Sequence, residues 1–118
     1  MLYHVSISGS DSACGSAEAP FRTINRAASI AMPGDTVQVH GGVYREWVDP
    51  KNGGRGEGSR IVYEAAPGEH PIIKGSEIVT GWEHVFGTVY KKVIPNSFFG
   101  NFNPFLERLA GEQKIKVW

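Results

Sequence analysis

Apolar and polar residues alternate at the start of the chain, with Tyr3, Val5 and Ile7 set against His4, Ser6 and Ser8. That is the period of a strand with one apolar face. A small-residue loop from Gly9 to Ala17 follows, and the period then changes. Phe21, Ile24, Ala27, Ala28 and Ala31 recur at three- and four-residue spacings, which predicts an amphipathic helix with a small, Ala-rich apolar face. Arg22, Asn25, Arg26 and Ser29 fall mostly on its other side. Pro20 sits where a first helical turn tolerates it, because an N–H there has no intrahelical partner. Pro33-Gly34 ends the run: Pro cannot continue the ladder, and Gly supplies the turn. Alternation returns from Thr36 to His40, with Val37 and Val39 on one face. Gly41-Gly42 permits positive φ at a sharp corner, and Val43 to Val48 is again β-prone.

Further along, Asp49 to Ser59 is a polar, glycine-rich loop. Arg60–Glu64 reads as a strand, Ala66-Pro67-Gly68-Glu69 as a turn, and Pro71–Lys74 as a strand ending at Gly75. None of these strands is joined to the next by a tight Asn-Gly hairpin. Short strands between sharp corners fit the coils of a solenoid, where the strands of one coil stack on those of the next. A helix ahead of the first full coil fits a plug, because an open coil end exposes strand edges and apolar surface. The expected fold is therefore mainly β: the start of a right-handed parallel β-helix with an N-terminal capping α-helix. The texture changes near Ser76. Trp82, Val85, Phe86, Val89 and Tyr90 lie around Gly81 and Gly87, the pattern of antiparallel strands with Gly turns. Phe98, Phe99, Phe102 and Phe105 follow among Asn and Gly, and Ile115 and Val117 alternate in a final strand.

Composition narrows the function by exclusion. Twelve basic and twelve acidic residues cancel, and no Lys/Arg run occurs, so nucleic acid is not the expected partner. The single cysteine, Cys14, permits no intrachain disulfide and has no activating neighbour in sequence. No apolar run approaches the roughly 20 residues of a membrane span. MLYHVSISGSDS lacks the charged and apolar regions of a secretory signal, so the expected location is cytoplasmic, with no membrane partner. The glycine loop Asn52–Gly58 lacks the Lys-Ser/Thr of a phosphate loop, and no long helix follows it. His4, His40, His70 and His84 are too scattered for a metal-ligand spacing. No metal and no cofactor is expected. Asp35 reads as the turn residue of Pro-Gly-Asp. Glu46 follows a corner and reads as a solvated or salt-bridged coil residue rather than one facing a cleft.

The pieces Tyr3-His4-Val5, Gly9-Ser10-Asp11, Ala19-Pro20-Phe21-Arg22-Thr23-Ile24, Pro33-Gly34-Asp35-Thr36-Val37 and Gly42-Val43-Tyr44-Arg45-Glu46 resemble the opening motif of many right-handed parallel β-helix proteins. That motif fronts lyases, hydrolases, adhesins and binding modules alike, so it bears on a pectate-lyase-like fold more than on chemistry. Tyr44–Val48, Ile73–Glu77, and Pro95–Gly100 followed by Phe102-Asn103-Pro104 are similar to the start of glycoside hydrolase family 120, the β-helix β-xylosidases. The resemblance covers residues 2 to 111. It implies a β-helix interrupted early by an inserted β-sandwich-like domain. Residues 1–76 would then be the cap and first coils, and 77–118 the start of the inserted β-rich domain or a truncated tail.

The same resemblance implies an oligosaccharide as partner of the full-length protein, with xylo-oligosaccharides as the substrate class. The family's catalytic carboxylates lie in later coils, beyond Trp118. Retaining hydrolysis needs two carboxylates about 5 Å apart, and no spacing among the acidic residues puts two together. No catalytic residue is assigned, and the chain alone is expected to be inactive. Aromatic faces stack on sugar rings, although Trp82 to Phe105 also reads as the core of the inserted domain. Phe102, Asn103 and Pro104 are the candidate substrate-binding residues. In the family a Gly-Asp-Trp-Leu run follows the Asn-Pro segment. Here the run is Gly111-Glu112-Gln113-Lys114, and Glu112–Trp118 reads as foreign to the family. The alternative is a non-catalytic β-helix module for carbohydrate binding or adhesion. In either case the open coil edge at Arg60–Glu64 and Pro71–Lys74 is expected to drive self-association.

Overall fold

The structure is a computed structural model that describes residues 1–100, so Phe102, Asn103, Pro104 and the segment 112–118 lie outside the described residues. The chain divides into two compact units, Met1–Ile78 and Val79–Trp118. The fold is mainly β with little helix.

The first unit carries β1 (Leu2–Val5), α1 (Ile24–Ile30), β2 (Thr36–Val39), β3 (Gly42–Arg45), β4 (Val62–Ala65) and β5 (Pro71–Lys74). Every strand pairing in it is parallel. β1, β2 and β4 form one sheet in that order, and β3 and β5 form another. The register brings Tyr3, Val37 and Tyr63 into one line, and Val5, Val39 and Ala65 into the next. In the second sheet Tyr44 lies opposite Ile73. In β1, β2 and β4 these are the odd-numbered residues, and in the second sheet Tyr44 and Ile73 take the corresponding place, so the stacking keeps one face apolar. A slip of one residue would turn every one of them outward. Val5, Phe21, Ile24, Ala27, Ala31, Val37, Val39 and Tyr44 form the core cluster.

The helix is shorter than the apolar run that predicts it. Thr23 is its N-cap, in extended backbone, with the hydroxyl accepting from the Arg26 amide at 3.1 Å. Phe21 lies ahead of it in a parallel bridge to Val5. Its amide donates to the His4 carbonyl at 2.9 Å, and its carbonyl accepts from the Ser6 amide at 2.8 Å. Pro20 therefore precedes a strand-like contact and does not open the helix. The spacing placed Phe21 on the buried face, and it is buried, but as a strand-paired residue. Its ring presses against Gly15: a Cβ there, at φ +81°, would sit 2.3 Å from Cε2 of Phe21. Glycine is thus required at that position twice over, by its backbone conformation and by the ring. At the other end Ala31 leaves helical geometry with ψ 135°. α1 packs on β1 and β2.

In the second unit β6 (Glu83–Phe86) and β7 (Val89–Lys91) form an antiparallel hairpin. Gly87, at φ +51°, supplies the turn, and a bulge falls between His84 and Phe86. His84 stacks edge-on against Tyr90 across the pair. Trp82 Nε1 donates to the Val79 carbonyl at 3.0 Å. Trp82, Phe86, Tyr90 and Phe98 are exposed. Among the described residues no helix is long and apolar enough to cross a membrane.

Candidate functional site

The acidic residues of the opening motif face backbone amides. Asp11 Oδ1 accepts from the amides of Arg22 and Thr23 at 3.0 and 2.9 Å, and Oδ2 accepts from the Thr23 hydroxyl at 2.9 Å. Glu46 Oε2 accepts from the Ile24 amide at 3.1 Å, and Oε1 from the Asn25 amide at 2.7 Å. A helix leaves its first N–H groups without intrahelical partners, and negative charge there is favoured. Asp11, Glu46 and Thr23 together satisfy all four such donors at the start of α1, on Thr23, Ile24, Asn25 and Arg26. Glu46 is thus neither free in solvent nor aimed into a cleft. It ties the corner after β3 to the start of the helix.

Asp35 does the same at the other end. Its Oδ2 accepts from the Met32 amide at 2.9 Å, and its Oδ1 pairs with the Met1 ammonium at 2.6 Å. The ammonium first, and the Met32 N–H second, hold this carboxyl below its usual pKa. Glu69 closes a corner in the next turn of the chain. Oε2 accepts from the Gly41 amide at 2.5 Å, and Oε1 meets His40 Nδ1 at 2.9 Å. The Gly41 N–H, then His40, hold Glu69 below the ordinary carboxyl range. Carboxylates stabilised as anions in this way are poor proton donors near neutral pH.

One cluster was not legible in the sequence. His4 and His40, 36 positions apart, stack with ring centroids 5.4 Å apart, and His4 Nδ1 lies 3.1 Å from His40 Nε2. With Glu69 they form a chain of three side chains across successive circuits. The geometry is satisfied when His40 donates from Nδ1 to Glu69 and accepts at Nε2 from His4. The signal that could have found it is the stacking period: residues one circuit apart become neighbours. Among the described residues no three His, Cys, Asp or Glu side chains are grouped to hold a metal ion.

Among the described residues the first unit has an open cleft of about 230 Å³ lined by Ile24, Val39, Val48, Tyr63, Glu64, Ala65, Pro71 and Ile73. It is the exposed end of the stacked apolar lines, and among the described residues Glu64 is the one charged side chain that lines it, short of the converging polar groups of a sugar-reaction site. Burial raises the Tyr63 phenol pKa. Tyr44, inside the stack, donates to the His40 carbonyl at 2.8 Å. Cys14 is exposed, and its thiol pKa is lowered chiefly by a hydrogen bond from the Ser16 side chain. The candidate substrate residues Phe102, Asn103 and Pro104 lie outside the described residues.

Comparison with known proteins bears on both units. Residues 79–117 match the family described as "Glycoside hydrolase 120, insertion domain". Over 89% of the chain, the structure titled "The complex structure of XylC with xylose" is 55% identical, with a TM-score of 0.86. The chain resembles the N-terminal part of a family 120 glycoside hydrolase. The match at 79–117 takes in most of the segment 112–118, which the sequence reading set apart as foreign, so that reading is corrected. One departure at Gly111–Lys114 was too narrow a basis for excluding the residues after it.

Residues 7–51 match a family of proteins of unknown function, DUF1565. The uncharacterized protein YwoF of Bacillus subtilis (strain 168) is 36% identical over 75 residues, 64% of this chain. A structure titled "Glycoside hydrolase" is 23% identical over 71% of the chain, with a TM-score of 0.57, and that likeness concerns the fold alone. The chain spans 16% of the XylC chain and 16% of YwoF.

Proposed function

We propose that this chain is the opening segment of a carbohydrate-active β-helix enzyme, a β-xylosidase-like glycoside hydrolase acting on xylo-oligosaccharides. The observation that carries the reading is the 55% identity to XylC over 89% of the chain. In this reading β1, β2 and β4 with β3 and β5 are the first coils of a right-handed parallel β-helix. The parallel registers support it. α1 is the cap over the N-terminal end, supported by its packing on β1 and β2. Residues 1–76 are cap and coils, and 77–118 begin an inserted, β-sandwich-like domain, supported by the family match at 79–117. Phe102, Asn103 and Pro104 line the sugar cleft of the whole protein.

The chain alone is inactive. Glycoside hydrolysis needs one carboxyl held as acid and a second as nucleophile or base. Asp11, Asp35, Glu46 and Glu69 accept from backbone N–H groups instead. An assay of the 118-residue chain on aryl β-xylosides tests this directly, and no turnover above background is expected. Turnover that survives purification controls and disappears in Glu46→Gln overturns it. A longer chain carrying this segment should hydrolyse the same substrates and lose activity when one later-coil carboxylate is replaced. A longer chain that binds xylo-oligosaccharides without turnover would make the segment part of a non-catalytic binding module.

A further inference from the structure

The polar loop that follows Val48 is tied to the helix by its first residues and free in its glycines. The Asp49 amide donates to Asn25 Oδ1 at 2.9 Å, the Lys51 amide to the Ala28 carbonyl at 3.3 Å, and Asn52 Nδ2 to the Ala31 carbonyl at 2.8 Å. Ala31 is the C-cap of α1 and is fully buried. The last carbonyls of a helix lack intrahelical partners, and the Asn52 side chain serves this one. Gly53 comes next. It is exposed, and a Cβ there would meet nothing within 4 Å. Among the described residues no acceptor takes the Gly53 N–H. Asn52-Gly53 is the one Asn-Gly pair in the sequence. These contacts lie within the first unit and involve neither a strand edge nor the apolar cleft.

We propose that Asn52 is a site of spontaneous deamidation, and that the conversion releases the loop from the end of α1. Glycine leaves the backbone free to close on the preceding side chain, and the unbonded Gly53 nitrogen has no Cβ to shield it. That nitrogen attacks Asn52 Cγ. A bond forms between them, the Cγ–Nδ2 bond breaks, and the Gly53 amide proton leaves with Nδ2 as ammonia. One water then opens the cyclic imide. Attack at Cγ gives aspartate, and attack at the Asn52 backbone carbonyl carbon gives isoaspartate. The sequence consumes one water, releases one ammonia and needs no oxidant or reductant. In either product a carboxylate, which only accepts, replaces the donating NH₂. It meets the Ala31 carbonyl as a second acceptor, so the bond is lost and the carbonyl loses its donor. Isoaspartate also adds a methylene to the backbone of the loop. None of this depends on the glycosidase reading.

Peptide mapping by mass spectrometry of the folded 118-residue chain, held in mildly alkaline buffer, tests this. Asn52 should convert to aspartate and isoaspartate while Asn25, Asn96, Asn101 and Asn103 stay amides in the same samples. Gly53→Ala should slow the conversion roughly tenfold or more, because the added Cβ restricts the backbone without touching a neighbour. The side chain must leave Ala31 to reach its own backbone, so the folded chain should react more slowly than the chain in urea. As the parent converts, its melting temperature should fall by about 4–8 °C, the effect of one lost hydrogen bond to a buried carbonyl. Gly53→Ala held equally long should keep its midpoint, and Asn52→Asp should melt as the converted chain does. Should Asn52→Asp fail to fold, the time course of the parent against Gly53→Ala gives the same reading. An Asn52 that converts no faster than the other asparagines, or equally fast in Gly53→Ala, overturns the site. Conversion that leaves the melting temperature unchanged, or runs at one rate folded and in urea, overturns the release of the loop.

Discussion

Replacing Glu46 by Ala removes the acceptor of two amides at the start of α1. Their nearest substitute is water, since Glu46 is half-buried and no other side chain accepts from them among the described residues. Hydrogen bonds to charged groups contribute about 1.5–3 kcal/mol each where desolvated. Removing a helix N-cap in a partly solvated setting costs about 0.5–2 kcal/mol. The half-exposed position places Glu46→Ala near the lower of these scales for each amide, a loss of about 2 kcal/mol. Glu46→Gln keeps one carbonyl oxygen but turns an NH₂ toward the second amide, so it should lose about half as much. A change of 1 kcal/mol moves the midpoint of a domain this size by about 4–8 °C. Thermal unfolding followed by far-UV circular dichroism should then show Glu46→Ala melting about 8–16 °C below the parent. Asp49→Asn, which breaks only the exposed pair with Lys51, serves as control and should move little. A Glu46→Ala chain melting with the parent would mean the carboxylate does not hold the helix, and would return Glu46 to the list of groups available for chemistry.

Other outcomes follow from the same contacts. Phe21 is 1% exposed and fills the space under Gly15. Phe21→Ala should cost about 3–5 kcal/mol, read as a lowered midpoint in urea. Asp35 and Glu69 both have folded pKa values below their ordinary ones. Their stabilisation is fully present above the ordinary carboxyl range of about 4, and it is lost as pH falls through the lower folded values. Melting temperature should therefore drop on acidification through that range. Glu69→Gln, whose contribution no longer titrates, should show a shallower drop.

The strands and the order of elements were readable because each is short and β-prone, and most have Gly or Pro at or near their ends. Pro71–Lys74 has the same limits in the structure as in the sequence, and the hairpin around Gly87 follows from its glycine and flanking apolar residues. The start of the helix was not readable. Spacing alone cannot distinguish Phe21 in a strand bridge from Phe21 in a first turn, because both bury the ring. The decision lies with Asp11 and Glu46, which reach Thr23, Ile24 and Asn25 from 12 and 21 or 22 positions away. The His4–His40–Glu69 chain was hidden for a similar reason: its members are scattered along the sequence and meet only when one circuit lies on another. The role of the motif carboxylates depended on the same long-range contacts. Asp35 was read correctly as a turn residue, but its partners are Met32 and the Met1 ammonium rather than a following amide.

The central claim is that successive circuits of the chain stack in parallel, so that the motif carboxylates serve corners and helix ends. Interstrand nuclear Overhauser effects in the isotope-labelled 118-residue chain test it most directly. Parallel stacking predicts side-chain contacts between Val37 and Tyr63, between Val39 and Ala65, and between Tyr44 and Ile73. Contacts pairing Val37 with Ala65 and Val39 with Tyr63, the signature of an antiparallel β2–β4 pair, would contradict the stacked arrangement and the roles assigned to Asp35, Glu46 and Glu69.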